Sequence, residues 1–196
     1  MNIQSIKGRL AFLQEAERLK SVLRSAHTST GRAESTAEHT WRLCLMAMAF
    51  ESELSGLDML KILKMCIVHD LGEAIHGDIP AIEKSQHPDK SAQEMADLLH
   101  LTRSLNEVDR SPILALWQEY EDAASPEAKA VKALDKLETI LQHNQGVNPP
   151  DFDYEFNLSY GKEHTSAEPL FATIRSLLDE ITRQKMHQST GAADSI

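Results

Sequence analysis

Apolar residues recur at intervals of three and four positions along almost the whole chain, which is the spacing of amphipathic α-helices. Alternating strand patterns bounded by turn residues are nearly absent. We therefore predict an all-α fold, a single compact bundle of helices. The predicted helices span about residues 6–23, 36–54, 59–70, 89–106, 112–120, 126–144 and 168–186, with a short helical turn after residue 70.

Two helix starts and one helix face are indicated by local signals. Ser35 and Glu38 have the spacing of a capping box, so the second helix begins there and places His39 in its first turn. Ser125, followed by Pro126, starts a later helix. The last helix carries an apolar stripe that is predicted to pack inward. It comprises Leu170, Ile174, Leu177, Leu178 and Ile181.

The chain shows no repeat, low-complexity block or internal boundary. We predict one domain over residues 1–187 and a flexible tail over 188–196. A chain of 196 residues can bury a substantial core without disulfides or structural metals. Its two cysteines, Cys44 and Cys66, lie inside apolar helical patterns and are interpreted as buried thiols in a reducing cytoplasm.

Charge and hydropathy exclude several classes of partner. The net charge is −10 and no basic stripe is present, which argues against binding to a nucleic-acid polymer. The longest apolar run, Leu43 to Phe50, is far shorter than the roughly 20 residues of a membrane helix. An anionic substrate would have to be held by a metal ion and one or two placed arginines. That favours a small phosphate ester.

A set of imidazoles and carboxylates is spread over three predicted helices. Two members stand side by side at the end of the third helix, one lies in the first turn of the second helix, and one flanks the apolar stripe of the helix at 126–144. Two nitrogen and two oxygen ligands suit Zn²⁺, Mn²⁺, Co²⁺ or Fe²⁺. The alternatives are solvated helix ends and a core or capping histidine. The candidate ligands are His39, His69, Asp70 and Asp135.

The order of these residues resembles HD-domain metal-dependent phosphohydrolases, which have a histidine, a His-Asp pair and a distant aspartate on a later helix. A narrower resemblance is carried by Glu38-His39, by the block His69–Pro80 and by Ala130–Asp135. It points to the branch that contains bacterial 5′-deoxynucleotidases and the eukaryotic HD-domain-containing protein 2. The resemblance covers roughly residues 5–180 and implies an all-helical HD domain.

The resemblance also implies roles for residues outside the ligand set. Glu73 corresponds to an acid that manages protons, and helical spacing places it on the face of His69 and Asp70. Asp78 corresponds to a contact with the sugar, and Arg24 and Arg32 to contacts with the phosphate. The alternatives are an exposed loop glutamate, an aspartate that caps its own turn, and surface arginines.

The activity implied is hydrolysis of 5′-(deoxy)nucleoside monophosphates to nucleoside and phosphate by a cytoplasmic, metal-dependent phosphomonoesterase. Family members further suggest a homodimer. Two alternatives remain open: a nucleotide triphosphohydrolase of the same superfamily, and a slow or inactive ligand-sensing module. The second is favoured by Ser25, which stands where the bacterial nucleotidases have a tryptophan after the arginine.

Overall fold

The structure is a computed structural model that describes the backbone of residues 2–193 and the side chains of this range except 84, 85 and 189–193. Helices dominate it, so the all-α prediction is confirmed. Among the described residues, no helix combines the length and apolar character needed to cross a membrane. The α-helices are α1 (Ile3–Ala16), α2 (Thr36–Ala49), α3 (Met59–Val68), α4 (Glu73–His76), α5 (Lys90–Leu101), α6 (Glu107–Glu121), α7 (Pro126–Gln145), α8 (Tyr154–Asn157), α9 (Lys162–Thr165) and α10 (Pro169–Ala193).

The chain divides into two compact units. Unit 1 contains Met1–Arg24 and Ser35–Val131, and unit 2 contains Ser25–Glu34 and Lys132–Ile196. That residues 1–187 form one domain stays a prediction, as does a flexible tail over 188–196. Part of that tail, residues 194–196, lies outside the described residues.

The N-terminal helix is shorter than predicted. It ends at Ala16, a 3₁₀ turn follows, and Leu23–His27 forms strand β1, which pairs with strand β2 at Ala33–Ser35. The connecting turn is closed by the Thr28 N–H, which donates to the Arg32 carbonyl at 2.7 Å. The prediction of a helix to residue 23 was wrong because apolar residues near its end continue the helical spacing into the strand.

Helix α6 begins at Glu107 rather than at Pro112, because the Asn106 side chain caps it by accepting a hydrogen bond from the Asp109 N–H at 3.0 Å. Helix α10 differs in its buried face. Leu177 and Ile181 are 60% and 40% exposed, so their predicted inward packing was wrong. The buried positions among residues 169–188 of this helix follow the helical period and include a charged pair. They are Phe171, Arg175, Leu178, Asp179 and Thr182.

An apolar cluster in unit 1 fixes the end of α3. It draws side chains from the 3₁₀ turn before β1 and from α3, α4, α5 and α6. Full burial of one aliphatic side chain contributes about 1.5–3 kcal/mol. The cluster therefore anchors the segment that carries His69 and Asp70. Its buried members are Leu19, Val68, Leu71, Ala74, Leu98, Leu101 and Trp117.

Candidate metal centre

His39 is held in the interior by the way α2 begins. The Ser35 hydroxyl accepts a hydrogen bond from the Glu38 N–H at 3.3 Å, and the Glu38 carboxylate accepts one from the Ser35 N–H at 2.9 Å. This capping box confirms the predicted start of the helix. His39 follows in the first turn and is fully buried, as is Leu43 one turn later. The local sequence thus fixes the direction of the imidazole.

His69 lies at the C-cap of α3, where its ring is oriented by a backbone carbonyl. The Nδ1 atom is 2.7 Å from the Cys66 carbonyl oxygen. Because a carbonyl can only accept, Nδ1 carries the proton, and in the neutral ring Nε2 then presents a lone pair. Histidine ligands of metals are commonly oriented in this way. The ring of Tyr120 packs edge-on against His69, with centroids 5.2 Å apart.

The two imidazoles converge on the Asp70 carboxylate. The Asp70 Oδ2 atom is 3.0 Å from His69 Nε2 and 3.8 Å from His39 Nε2. One ligand atom from each of the three residues lies within 4.8 Å of the others. A carboxylate oxygen this close to a nitrogen lone pair is repelled unless a proton or a metal cation lies with them. The donor set therefore fits a divalent metal ion.

Arg24 places a positive charge beside this cluster. It lies in β1, and its Nη1 atom is 3.6 Å from Asp70 Oδ2. Burial by itself would raise the pKa of the Asp70 carboxyl, but its electrostatic interactions with His69, His39 and Arg24 outweigh burial and hold that pKa well below its usual range. Asp70 therefore stays ionised. A planar guanidinium at this position is suited to bind a phosphate.

Glu73 opens α4 and is 3% exposed. Its Oε2 atom accepts a hydrogen bond from the Thr36 hydroxyl at 3.2 Å. The pKa of Glu73 is raised well above its ordinary value, first by burial and then by the negative charges of Asp70 and Asp78. A carboxyl with a raised pKa holds a proton more readily than an ordinary glutamate, which suits a group that transfers protons in acid–base catalysis.

Lys90 is a member of this cluster that the sequence did not reveal. It is the first residue of α5, and its Nζ atom lies 3.6 Å from Glu73 Oε1 and 3.0 Å from Glu94 Oε1. Its i,i+4 spacing with Glu94 was readable as a surface helix pair. No pattern in the sequence connects Lys90 with Glu73.

Asp78 follows Gly77, whose φ of +92° lies in the region that favours glycine. The Gly77 N–H donates to the Glu73 carbonyl at 2.9 Å and ends α4 in a turn. Asp78 is half-buried, and its charge contributes to the raised pKa of Glu73. Its contact with a sugar stays a prediction.

The two remaining predicted residues lie in unit 2. Asp135 is buried on α7, and its Oδ2 atom accepts a hydrogen bond from Lys136 Nζ at 2.8 Å. Arg32 is exposed and donates to the Ala33 carbonyl at 2.9 Å. The fourth-ligand role of Asp135 and the anion contact of Arg32 stay predictions.

Comparison with known proteins identifies the family. The model of the HD domain matches residues 16–175. The 5′-deoxynucleotidase HDDC2 of Dictyostelium discoideum is 33% identical over 185 residues, which cover 87% of this chain and 96% of that protein. The human 5′-deoxynucleotidase HDDC2 is 34% identical over 138 residues, or 69% of this chain and 67% of that protein.

A solved structure agrees with these sequence matches. The crystal structure of a predicted metal-dependent phosphohydrolase from Magnetospirillum magnetotacticum superposes with a TM-score of 0.80 at 26% identity. The superposition covers 93% of this chain and 95% of that one. Since the HD-domain match and the likeness to HDDC2 each cover most of the sequence, the chain belongs to the HD-domain family.

Proposed function

We propose that this protein is a metal-dependent 5′-deoxynucleotidase, which hydrolyses 5′-(deoxy)nucleoside monophosphates to nucleoside and inorganic phosphate. The observation that carries the proposal is the convergence of His39, His69 and Asp70 beside Arg24 and the buried Glu73. The relatives in Dictyostelium and human are named as 5′-deoxynucleotidases, which supports the same reaction.

His39, His69 and Asp70 would hold the divalent ion, and we propose Asp135 as its fourth ligand. Mn²⁺, Co²⁺, Zn²⁺ and Fe²⁺ all accept such a nitrogen and oxygen donor set. When bound, the ion supplies Lewis-acid polarisation of a phosphoryl oxygen and lowers the pKa of a water molecule. The hydrogen bond from His69 Nδ1 to the Cys66 carbonyl keeps the opposite nitrogen available to the ion.

The charged residues around the proposed ligands bind the substrate and transfer protons. Arg24 binds and neutralises the phosphate, with Arg32 as a second anion contact, and Asp78 accepts a hydrogen bond from a sugar hydroxyl. Water attacks phosphorus as the bond from phosphorus to the 5′-oxygen breaks. Glu73 takes the proton from the water and returns it to the leaving 5′-oxygen, which yields a neutral nucleoside.

Phosphate release from a panel of 5′-monophosphates, with Mn²⁺ or Co²⁺ added, tests this proposal. We expect steady-state release from wild type with at least one deoxynucleotide. The double variant His69→Ala, Asp70→Ala should be inactive on all members. If wild type and the variant are equally inactive on every member, the enzyme proposal fails and the ligand-sensing alternative gains support. Release of triphosphate from deoxynucleoside triphosphates would instead indicate a triphosphohydrolase.

We also propose that the protein is cytoplasmic and forms a homodimer. Two exposed apolar residues on α10, Leu177 and Ile181, are compatible with association between copies. Sedimentation equilibrium should give a mass near twice the 21.9 kDa of one chain. A mass equal to one chain at micromolar concentration would contradict the dimer. Fractionation of cells that express the tagged protein checks the compartment.

A further inference from the structure

We propose that Lys90 is a positioning residue, which holds the Glu73 carboxylate in its working orientation while Glu94 holds Lys90. This inference rests on the proposed function, since it concerns the group that moves protons in that reaction. Nothing in the sequence resemblance assigns a role to residue 90. The inference follows from three features of unit 1: the contacts of Glu73, the packing of α5 on α4, and the charges that surround the carboxylate.

The two oxygens of Glu73 are engaged by different elements. Oε2 accepts the hydrogen bond of the Thr36 hydroxyl from α2, and Oε1 faces Lys90 Nζ at 3.6 Å from α5. The side chain of Glu73 is 2% exposed and that of Lys90 is 20% exposed. Two contacts on two oxygens define the plane of a carboxylate, whereas the Thr36 contact alone leaves it free to turn. Lys90 therefore fixes which lone pairs of Glu73 face the ligand cluster.

Lys90 is itself held by the helix that carries it. Its Nζ atom lies 3.0 Å from Glu94 Oε1, one turn along α5. The start of this helix is also tied to α6, because the Ser91 hydroxyl donates to Glu121 Oε2 at 2.9 Å. A flexible lysine normally loses considerable side-chain entropy when it is fixed, and the Glu94 contact offsets part of that cost.

The backbone of α5 approaches α4 closely at one point. A Cβ atom at Gly72 would lie 2.7 Å from the Glu94 carbonyl oxygen and 3.1 Å from Glu94 Cβ. Only glycine permits this approach, and Gly72 directly precedes Glu73. The same contact therefore sets the distance between Glu73 and the turn of α5 that carries Lys90.

The charges that face Glu73 explain why a cation is needed there. Asp70 and Asp78 are negative, while Arg24 and Lys90 are positive. Without Lys90, only Arg24 would oppose the repulsion from the two aspartates, and the carboxylate would turn away from them. The expected loss is therefore in the chemical step, because substrate binding and metal binding use other residues.

A double-mutant cycle on kcat tests the proposal. Lys90→Met should lower kcat by about tenfold to a hundredfold, with KM and bound metal unchanged, because it removes part of an acid–base contribution of about 10²–10⁴-fold. Lys90→Arg should recover most of the loss. In a Glu73→Gln background, the same Lys90→Met change should alter kcat less than about twofold, since its target is already disabled.

Lys61 supplies the matched control. It also lies in unit 1 and contacts two glutamates, Glu119 and Glu127, with its side chain 29% exposed. Lys61→Met should leave kcat unchanged. An equal loss of kcat from Lys90→Met in the wild-type and Glu73→Gln backgrounds would overturn the proposal. So would a loss of bound metal, or an effect on KM alone.

A second measurement separates failure of this inference from failure of the proposed function. If wild type releases no phosphate from any monophosphate, the proposed function fails. The contact between Lys90 and Glu73 can still be tested by measuring protein stability. The same cycle on the unfolding equilibrium should show a coupling of at least about threefold between Lys90→Met and Glu73→Gln. Strictly independent effects on unfolding would overturn the contact itself.

Discussion

One cluster of buried charge in each unit shows two opposite arrangements of charged groups. In unit 2, the Arg175 guanidinium donates to Asp179 Oδ1 at 2.7 Å, to the Tyr160 carbonyl at 2.6 Å and to the Asn157 carbonyl at 2.8 Å. Each partner is an acceptor, and the pair is electrically balanced. This ion pair joins α10 to the segment that precedes it, and it has little capacity left for a ligand.

In the unit 1 cluster around Asp70 and Glu73, several buried charged groups crowd together instead of forming one balanced pair. Asp70 is held ionised by His69, His39 and Arg24, and its charge helps to raise the pKa of the buried Glu73. Such an arrangement costs folding free energy and persists where a bound cation or a transferred proton makes use of it. The contrast teaches that burial of a charged group does not by itself indicate function. Whether its charge is balanced by its partners is the more informative property.

The largest expected effect comes from a substitution at the centre of the crowded cluster in unit 1. His69→Ala removes a proposed ligand, and we expect phosphate release to fall by about 10³-fold, because loss of the ion would remove several kcal/mol of transition-state stabilisation. The measurement is steady-state phosphate release together with bound metal per chain. A variant that keeps its fold by circular dichroism and still turns over at more than a tenth of the wild-type rate would refute the ligand role.

The next largest effect comes from a substitution in the balanced ion pair of unit 2. Arg175→Ala leaves Asp179 and two carbonyls without their donor, so we expect the free energy of unfolding to fall by about 3 kcal/mol. Arg183→Ala, on the exposed face of the same helix, should change it by less than about 0.5 kcal/mol. Urea denaturation measures both. Equal effects of the two substitutions would remove the distinction between structural and surface charge in unit 2.

A third effect separates chemistry from metal binding within the crowded region. Glu73→Gln keeps the size of the side chain but cannot transfer a proton, so kcat should fall by about 10²-fold with bound metal unchanged. Metal analysis and initial rates on the same sample give both quantities. An unchanged kcat would show that Glu73 serves only the fold.

The smallest effect is a dependence of stability on pH. Because the folded state raises the pKa of Glu73, this side chain binds more proton in the folded protein than in the unfolded chain at pH values above its ordinary pKa of 4.5. The contribution of Glu73 to stability is therefore present at acid pH and is lost as pH rises through the raised pKa.

Glu73→Gln removes that loss. In metal-free protein, wild type should thus become progressively less stable relative to Glu73→Gln as pH rises above 4.5 and through the raised pKa. Urea denaturation across this range checks the sign. A stability difference between wild type and Glu73→Gln that is constant with pH would contradict the raised pKa of Glu73.

The proximity of His39, His69 and Asp70 was readable from the sequence because its signals are local, while their role as metal ligands stays a prediction. The capping box at Ser35 and Glu38 directs His39, and the adjacent His69 and Asp70 share one helix end. These are short-range effects of backbone geometry. The HD-domain assignment is confirmed for the same reason, since its motif is a fixed order of such local elements.

Two features escaped prediction for physical reasons. Lys90 reaches Glu73 through the packing of α5 on α4, and a contact of this kind leaves no spacing that can be read along the chain. The inward face of α10 was misassigned because it carries Arg175 and Asp179, and a search for apolar periodicity cannot recognise a buried ion pair as core.

Metal titration of activity tests the central claim most directly. Protein stripped of metal by a chelator should release no phosphate from a 5′-deoxynucleoside monophosphate, and one equivalent of Mn²⁺ or Co²⁺ per chain should restore full activity in wild type but not in His69→Ala. Full activity of the stripped wild type, or equal restoration of His69→Ala, would contradict the metal centre at His39, His69 and Asp70.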